Sequence, residues 1–328
     1  MPPVESVALY ATDFTTVRPL DWEVYKEGGN LELIDNENVH YSHFRASDAR
    51  MYYYKDKLYA IFWQRTPQQE MYVGELQVDI ENNKLVVVKS PVKLSFSHES
   101  NQVTQKNWSP FIYDHTYEGK GAPVSTSKVL YIYSAIPNQR IVHANESHDD
   151  GSRRAHTVAV TTMHKPDPRD VWLTNFGAVH GGSNALLINT KYGPKYVTFY
   201  HSSANYMISW CGSYFMGAYL FDAQPPFAIT HITTEPIVTP VLYNESTEGW
   251  SFRAVDYIMF PTSIFLLSDD ILYLCLGHND KSGWLMQFSL KGLVEELEPV
   301  ESVTHVNRLA DHLSYATSAT STATGTIS

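Results

Sequence analysis

Met51-Tyr52-Tyr53-Tyr54-Lys55-Asp56-Lys57-Leu58-Tyr59-Ala60-Ile61-Phe62-Trp63 reads as two short strands around a polar turn at Lys55-Asp56-Lys57. Aromatic and β-branched runs on either side of such a turn are a hairpin signal. The pattern returns at Phe111–Ser134, at Ala185–His201 around Tyr192-Gly193-Pro194, and at Pro261–His278 around Ser268-Asp269-Asp270. Aligned on Tyr59, Tyr131, Val197 and Tyr273, the copies stand 72, 66 and 76 residues apart. A strand-built unit of this size buries its faces only by stacking on its neighbours, so the repeat predicts an all-β fold of the β-propeller kind. Such folds gather polar strand ends and loops around one channel, where residues far apart in sequence meet.

Composition agrees. The chain has 328 residues, 43% of them hydrophobic and 13% aromatic, ample for a packed core, and its 22 Tyr and 14 Phe suit half-buried strands. Helical periodicity is best at Leu290–Leu297, and it is short. The formal net charge of −11 comes without a basic run, which argues against nucleic acid or an anionic membrane as partner. No apolar stretch has the length to cross a bilayer. Met1–Phe14 lacks a basic segment followed by an apolar one, so the expected location is cytoplasmic. Cys211 and Cys275 sit in apolar or aromatic surroundings and are read as buried free thiols. The Asn107, Asn145 and Asn244 sequons are read as chance matches.

Blade-like segments fall near 41–97, 98–162, 163–232 and 233–300. The first forty residues hold strand-like Ser6–Tyr10 and a Gly-Gly-Asn turn at 28–30, and are expected to complete a blade with C-terminal strands. Asp114–Lys128 and the charged stretch Asn145–Arg154 are expected to be exposed loops. Ser314–Ser328 is almost entirely Ser, Thr, Ala and Gly, a composition that builds no core, so residues 1–313 form one domain and 314–328 a disordered tail.

Polar residues follow the second strand of each hairpin: Trp63-Gln64-Arg65, Ser134, His201-Ser202-Ser203 and Gly277-His278-Asn279-Asp280. At equivalent places in successive blades they either converge on one end of the channel or face water on the blade rims. There is no Gly-x-Ser-x-Gly elbow, no Gly-x-x-x-x-Gly-Lys loop and no His-Glu-x-x-His. His143, His148, Asp149 and Asp150 have spacing that suits no particular ion, so no metal or other cofactor is expected.

Four ordered motifs resemble glycoside hydrolase family 130, the five-bladed β-propeller β-mannoside phosphorylases and the related β-1,2-mannosyltransferases. Ser47-Asp48-Ala49-Arg50-Met51 with its hairpin resembles the family's E-D-P-R. Gly181-Gly182-Ser183-Asn184 through Tyr200-His201 resembles R-G-G-T-P and Y-H-G. Tyr214-x-Met216-Gly217-Ala218-Tyr219-Leu220 through Glu235-Pro236-Ile237 resembles Y-x-x-G-A-x-L-x-D and E-P-I-L. Phe260-Pro261-Thr262 with Gly277-His278-Asn279-Asp280 resembles V-F-P-T-G and its G-A-A-D. The chain departs in having Ser and Ala around Asp48, and His180 where the family has Arg before Gly-Gly.

The resemblance implies a five-bladed propeller and an inverting reaction at the anomeric carbon of a β-mannoside. Asp48 would be the general acid, acting through a sugar hydroxyl. Inorganic phosphate would be the nucleophile, or mannose 1-phosphate the donor in reverse, with an oligosaccharide as the other substrate. Arg50, Asn107, Trp108, His201, Tyr206, Asp256 and Asp280 would contact sugar, and Arg140 and His180 phosphate. An incoming phosphate is already anionic and needs cationic donors rather than a base, and Arg serves best because its planar fork binds two oxygens. Each residue has a structural alternative: Asp48 as a turn aspartate paired with Arg50, Arg140 as a surface strand residue, Trp108 as a blade-core indole rather than a sugar platform. A hydrolase of the same fold would need a second carboxylate to activate water, such as Asp256 or Asp280. A non-catalytic glycan-binding propeller would need no acid at all.

Overall fold

Lys55 and Asp56 both take positive φ, 49° and 58°. That is the two-residue turn whose twist matches a hairpin. It joins β2 (Ala46–Tyr54) to β3 (Lys57–Gln64) in register, Tyr54 opposite Lys57. The other two short turns of the sequence reading are present as well. They join β12 (Leu186–Thr190) to β13 (Gly193–Ala204), with Gly193 at φ 89°, and β16 (Met259–Leu266) to β17 (Ile271–His278). The structure, a computed structural model, describes residues 33–35, 46–64, 70–79, 84–88, 91–96, 106–114, 127–147, 152–167, 172–204, 213–237, 258–278 and 282–307.

The described chain is all-β, with two short helices. Its hairpins extend into four antiparallel stacks. In the first, β2 and β3 continue into β4 (Glu70–Asp79), which pairs with both β5 (Lys84–Val87) and β6 (Val92–Phe96), and β1 (Leu33–Asp35) lies parallel on β5. The second runs β7 (Ser109–Tyr113), β8 (Lys128–Ser134), β9 (Asn138–Ser147) and β10 (Arg153–Lys165). In the third, β11 (Ala178–Gly181) and β12 both pair with β13, followed by β14 (Ser213–Asp222) and β15 (Ile229–Ile232); α1 (Thr174–Phe176) precedes it. The fourth is β16, β17 and β18 (Ser282–Ser289), closed by α2 (Leu290–Glu295), the short helix expected at Leu290–Leu297. Ser289 caps α2, its Oγ accepting from the Gly292 N–H at 3.0 Å.

The apolar cores lie between stacks. Tyr52 and Ile61 of the first meet Tyr131 and Val142 of the second. Phe111 and Tyr113 of the second meet Tyr196, Phe221 and Phe227 associated with the third, edge-on rings about Phe111 at 4.9–5.4 Å. Val197 and Leu220 of the third meet Leu274 and Trp284 of the fourth. Each such side chain contributes roughly 1.5–3 kcal/mol by leaving water. The middle strands are therefore buried on both faces: Tyr196 through Ser202 is buried without a break.

First strands of the stacks follow one another in a ring. β2 touches β7 and β16, and β7 touches β12. Phe111 bridges to Ala185, the Asn184 side chain exchanges hydrogen bonds with the Ile264 backbone at 2.7 and 3.1 Å, and Met51 N–H donates to Ser263 Oγ at 2.9 Å.

Two expectations change. C-terminal strands do not close a blade with the N-terminus among the described residues: β19 (Glu298–Pro299) pairs with β15, β20 (Glu301–Asn307) with β10, and β1 with β5. The pairing of Ser147 with Arg153 draws both ends of the 145–154 stretch into β9 and β10, because backbone ladder bonds outweigh its charged composition. The described residues form four stacks, and the strands of the fifth expected blade are not among them. Cys275 is a free thiol, pushed up to about 11 by burial, while Cys211 and the 314–328 tail lie outside the described residues. No described helix is long and apolar enough to cross a membrane.

Candidate functional site

Strand β2 carries one residue too many for its partner. Ser47 faces Trp63 and Arg50 faces Ile61, so the step between them holds a bulge. Within it Asp48 takes φ 54°, a left-handed conformation that aspartate tolerates better than most residues. The bulge turns the carboxylate toward β3, where Trp63 Nε1–H donates to Asp48 Oδ2 at 2.6 Å. Arg50 Nη1 donates to the Asp48 backbone carbonyl at 2.9 Å. Backbone and side chain of Asp48 are thus each held once.

Arg50 is the centre of the arrangement. Its side chain is fully buried. Nη2 donates to the Gly181 carbonyl at 2.9 Å and to Asn107 Oδ1 at 3.0 Å, and Nε donates to the Gly182 carbonyl. Its guanidinium also lies 5.5 Å from the Phe260 ring centre. Elements of all four stacks therefore meet at this one cation. Among the described residues no carboxylate forms an ion pair with it. Burial brings its pKa down to about 10, opposed by the charge of Asp48, so it stays protonated at neutral pH.

The two glycines exist to let this happen. A Cβ on residue 181 would sit 2.2 Å from the Asn107 carbonyl oxygen, and one on residue 182 would sit 2.4 Å from the Phe199 carbonyl oxygen. Any side chain would push their carbonyls away from Arg50. Asn107 itself takes φ 63°, which aims its amide at the guanidinium.

Beside Arg50 lie two histidines, placed opposite each other by the β11–β13 register, His180 with His201. Their ring centres are 5.4 Å apart. His201 is 2% exposed, packed against Phe260 and Tyr214 with ring centres at 4.5 and 5.6 Å, and its Nδ1 has no hydrogen-bond partner. Burial, then His180 and Arg50, holds its pKa well below the usual histidine value despite a hydrogen bond with the Gly181 backbone, so the ring is neutral at pH 7. His180 reaches solvent at the edge of the cluster. Its pKa is also lowered, first by lost hydration and then by the Lys106 ammonium. That ammonium lies 4.6 Å from the centre of the Trp63 ring.

The structure thus brings together Asp48, Arg50, Asn107, His180 and His201. It corrects two roles. Arg50 faces protein carbonyls rather than substrate, because four donor contacts already bind its fork. Trp108 is 0% exposed, packed against Tyr131 and Tyr133 at 5.9 and 5.4 Å, and presents no face to a sugar. Arg140 lies over Phe96 and Tyr133, 5.7 and 5.4 Å from their centres. Tyr206, Asp256 and Asp280 lie outside the described residues. Convergence occurs mainly at the first strands and the residues preceding them, with Trp63 and His201 joining from second strands. Ser134 instead closes a local turn, its Oγ donating to the Asn138 carbonyl at 2.6 Å. Trp63 belongs to the strand-end group expected to converge, though no role was expected of it, and Lys106 is the residue that sequence reasoning missed; its adjacency to Asn107 was the available signal.

No known protein-family profile and no curated protein matches the sequence. Solved structures do. A β-1,2-mannobiose phosphorylase from Listeria innocua, in complex with β-1,2-mannobiose, is 18% identical with a TM-score of 0.46; the alignment covers 76% of this chain and 60% of that one. This chain therefore spans about three-fifths of that enzyme's length. The mannose phosphorylase MPT-4 from Leishmania mexicana, in complex with a phosphate ion, is 12% identical with a TM-score of 0.37, over 87% of this chain and 93% of that one. MPT-1, a GDP-Man-dependent mannosyltransferase from the same organism, is 9% identical with a TM-score of 0.39, over 84% and 92%. With TM-scores below 0.5 these structures assign this chain no activity.

Proposed function

We propose that this chain is a carbohydrate-active enzyme that cleaves β-mannosides by inverting phosphorolysis, or forms them by the reverse mannosyl transfer from mannose 1-phosphate, with Asp48 as its general acid. The observation that supports it is the Asp48 carboxylate, held in a bulge by Trp63, with Arg50 on its backbone carbonyl and the Lys106 ammonium over the Trp63 ring; among the described residues no second carboxylate joins this cluster. Inverting hydrolysis calls for two carboxylates, one of them to activate water. Phosphorolysis calls for one acid and a cation for the anion, and Lys106 beside the Trp63 ring is the cation this reading uses.

In the forward direction a phosphate oxygen attacks the anomeric carbon from the face opposite the leaving group. The new C1–O–P bond forms as the glycosidic C1–O bond breaks, and inversion turns the β-mannoside into α-mannose 1-phosphate. The proton of Asp48 goes to the leaving oxygen, through a sugar hydroxyl in the manner the motif resemblance implies. Lys106 is the exposed-side cation for the phosphate, with His180 as a hydrogen-bonding neighbour. Arg50 contributes its fixed charge from behind. His201, neutral and buried behind His180, packs the inner side of the cluster. The architecture proposed is a single β-propeller domain over residues 1–313; a fifth blade would draw its strands from outside the described residues.

The test is phosphate release on mixing the protein with mannose 1-phosphate and mannose or short β-mannosides, with Asp48→Asn as control. Release with a longer product, absent in the variant, supports the proposal. Hydrolysis without phosphate dependence would replace it by the hydrolase reading, and ligand binding unchanged in Asp48→Asn with no turnover by the parent would replace it by a binding propeller.

A further inference from the structure

Trp63 is placed unlike an ordinary core tryptophan and unlike a sugar platform. Its ring belongs to the packed cluster of Tyr52, Ile61, Met71 and Trp108, so its orientation is fixed by the fold. Only 9% of the residue is exposed, and the ring has the Lys106 ammonium against it at 4.6 Å, so it offers no open face for a sugar to stack on. What it offers the site is its edge. Nε1–H points at Asp48 Oδ2 at 2.6 Å, a short contact for this donor.

We infer that Trp63 is the positioning residue of the acid: by capping Oδ2 it leaves Oδ1 as the oxygen that carries and delivers the proton. An indole has one donor and no acceptor, so Oδ2 in this contact is the accepting oxygen, and the proton of the carboxylic acid resides on the other. The Asp48 backbone cannot do this alone. Arg50 anchors only the carbonyl of Asp48, and rotation about the side-chain bonds would still exchange the two oxygens. Because the indole is clamped between the core and a cation, the carboxylate is presented to the site in one orientation before substrate arrives, which is the condition for efficient proton transfer. The ammonium on the ring links the two halves of the site: whatever anion draws Lys106 also acts on the ring that holds the acid.

This inference rests on Asp48 being the acid, and the experiment separates the two. Trp63→Phe keeps an aromatic ring in the cluster, at some loss of volume, and removes the N–H. Two substrates are compared under phosphorolysis, a mannobiose and a nitrophenyl β-mannoside, whose leaving group departs with little help from an acid. The expected result is a kcat on mannobiose lower by about ten- to a hundredfold, a KM within about twofold, and a loss on the nitrophenyl substrate of no more than about threefold. Equal losses on both substrates, or a loss confined to KM, would overturn the inference. If Trp63→Phe misfolds, the tryptophan analogue with sulfur in place of the indole N–H is incorporated at position 63. It fills the same volume, and the same leaving-group-dependent loss is expected. Full activity with that analogue would show that the N–H does nothing. Asp48→Asn run alongside isolates the premise: if it keeps activity on mannobiose, the reading of Asp48 fails first.

Discussion

Arg50 Nη2 donates to the carbonyl of Gly181 at 2.9 Å although the two residues are 131 positions apart in sequence. With Gly182, Asn107 and Asp48 bound to the same guanidinium, this contact ties the bulge that carries Asp48 to the first strand of the third stack. A buried charge is tolerated when its donors are met, and leaving several carbonyls without a donor is costly. Arg50→Lys supplies a cation but no fork, and should destabilise the fold by roughly 3 kcal/mol. Urea unfolding followed by tyrosine and tryptophan fluorescence reads this directly. An unchanged midpoint with weakened phosphate binding would return Arg50 to the ligand role.

The glycines at that contact allow a sharper comparison. Gly181→Ala puts a methyl 2.2 Å from a backbone oxygen and should give an unfolded or insoluble chain. Gly193→Ala meets nothing within 4 Å but sits at φ 89°, so only backbone strain, about 1 kcal/mol, is expected. Soluble, native-like Gly181→Ala protein would contradict the close approach described above.

For Asp48→Asn the expected outcome is a kcat lower by about a hundredfold or more with thermal unfolding little changed, since the amide keeps the volume and can still accept from Trp63. Circular dichroism melting beside the phosphate-release assay distinguishes lost chemistry from lost fold.

Lys106→Met retains the aliphatic stem beside Trp63 and deletes the charge. The KM for phosphate should rise about tenfold while that for the mannoside moves little, because a charged hydrogen bond is worth roughly 1.5–3 kcal/mol. Initial rates across a phosphate series give the answer. Equal rises for both substrates would place Lys106 with the sugar or with the structure.

Acid sensitivity follows from His201. Its folded-state pKa is depressed, so below the ordinary histidine value of 6.5 the unfolded chain binds a proton that the folded chain refuses. Stability therefore rises with pH in that window and is lost as pH falls from 6.5 through the folded-state value. His201→Gln removes this contribution, and its unfolding midpoint should depend less steeply on pH between about 6.5 and 5 than the parent's. Parallel curves would mean that the ring is already hydrated or charged.

Much of the fold was legible because strand pairing is local. The Lys55-Asp56 turn, the two other short turns and the helix at Leu290–Glu295 each depend on a few consecutive residues. The charged 145–154 stretch misled because composition reports solvent exposure, while ladder bonds to a neighbouring strand decide whether a polar segment is extended. Trp108 misled for a related reason: an indole beside Asn107 looks the same in sequence whether it faces a channel or, as here, the Tyr131 and Tyr133 rings.

By itself the sequence determined the all-β class, the hairpin repeat and the neighbourhood of Asp48, since period-two apolar runs and turn chemistry are read over short spans. Which polar residues meet was decided only by tertiary structure. A one-residue bulge turns Asp48 onto Trp63, two glycines admit the backbone close enough for Arg50 to grasp it, and a cross-strand register sets His180 against His201. The glycine contacts join segments 131 and 132 positions apart and are fixed by how the stacks pack around a common centre, while the bulge and the histidine pairing are set by strand register, which composition does not report.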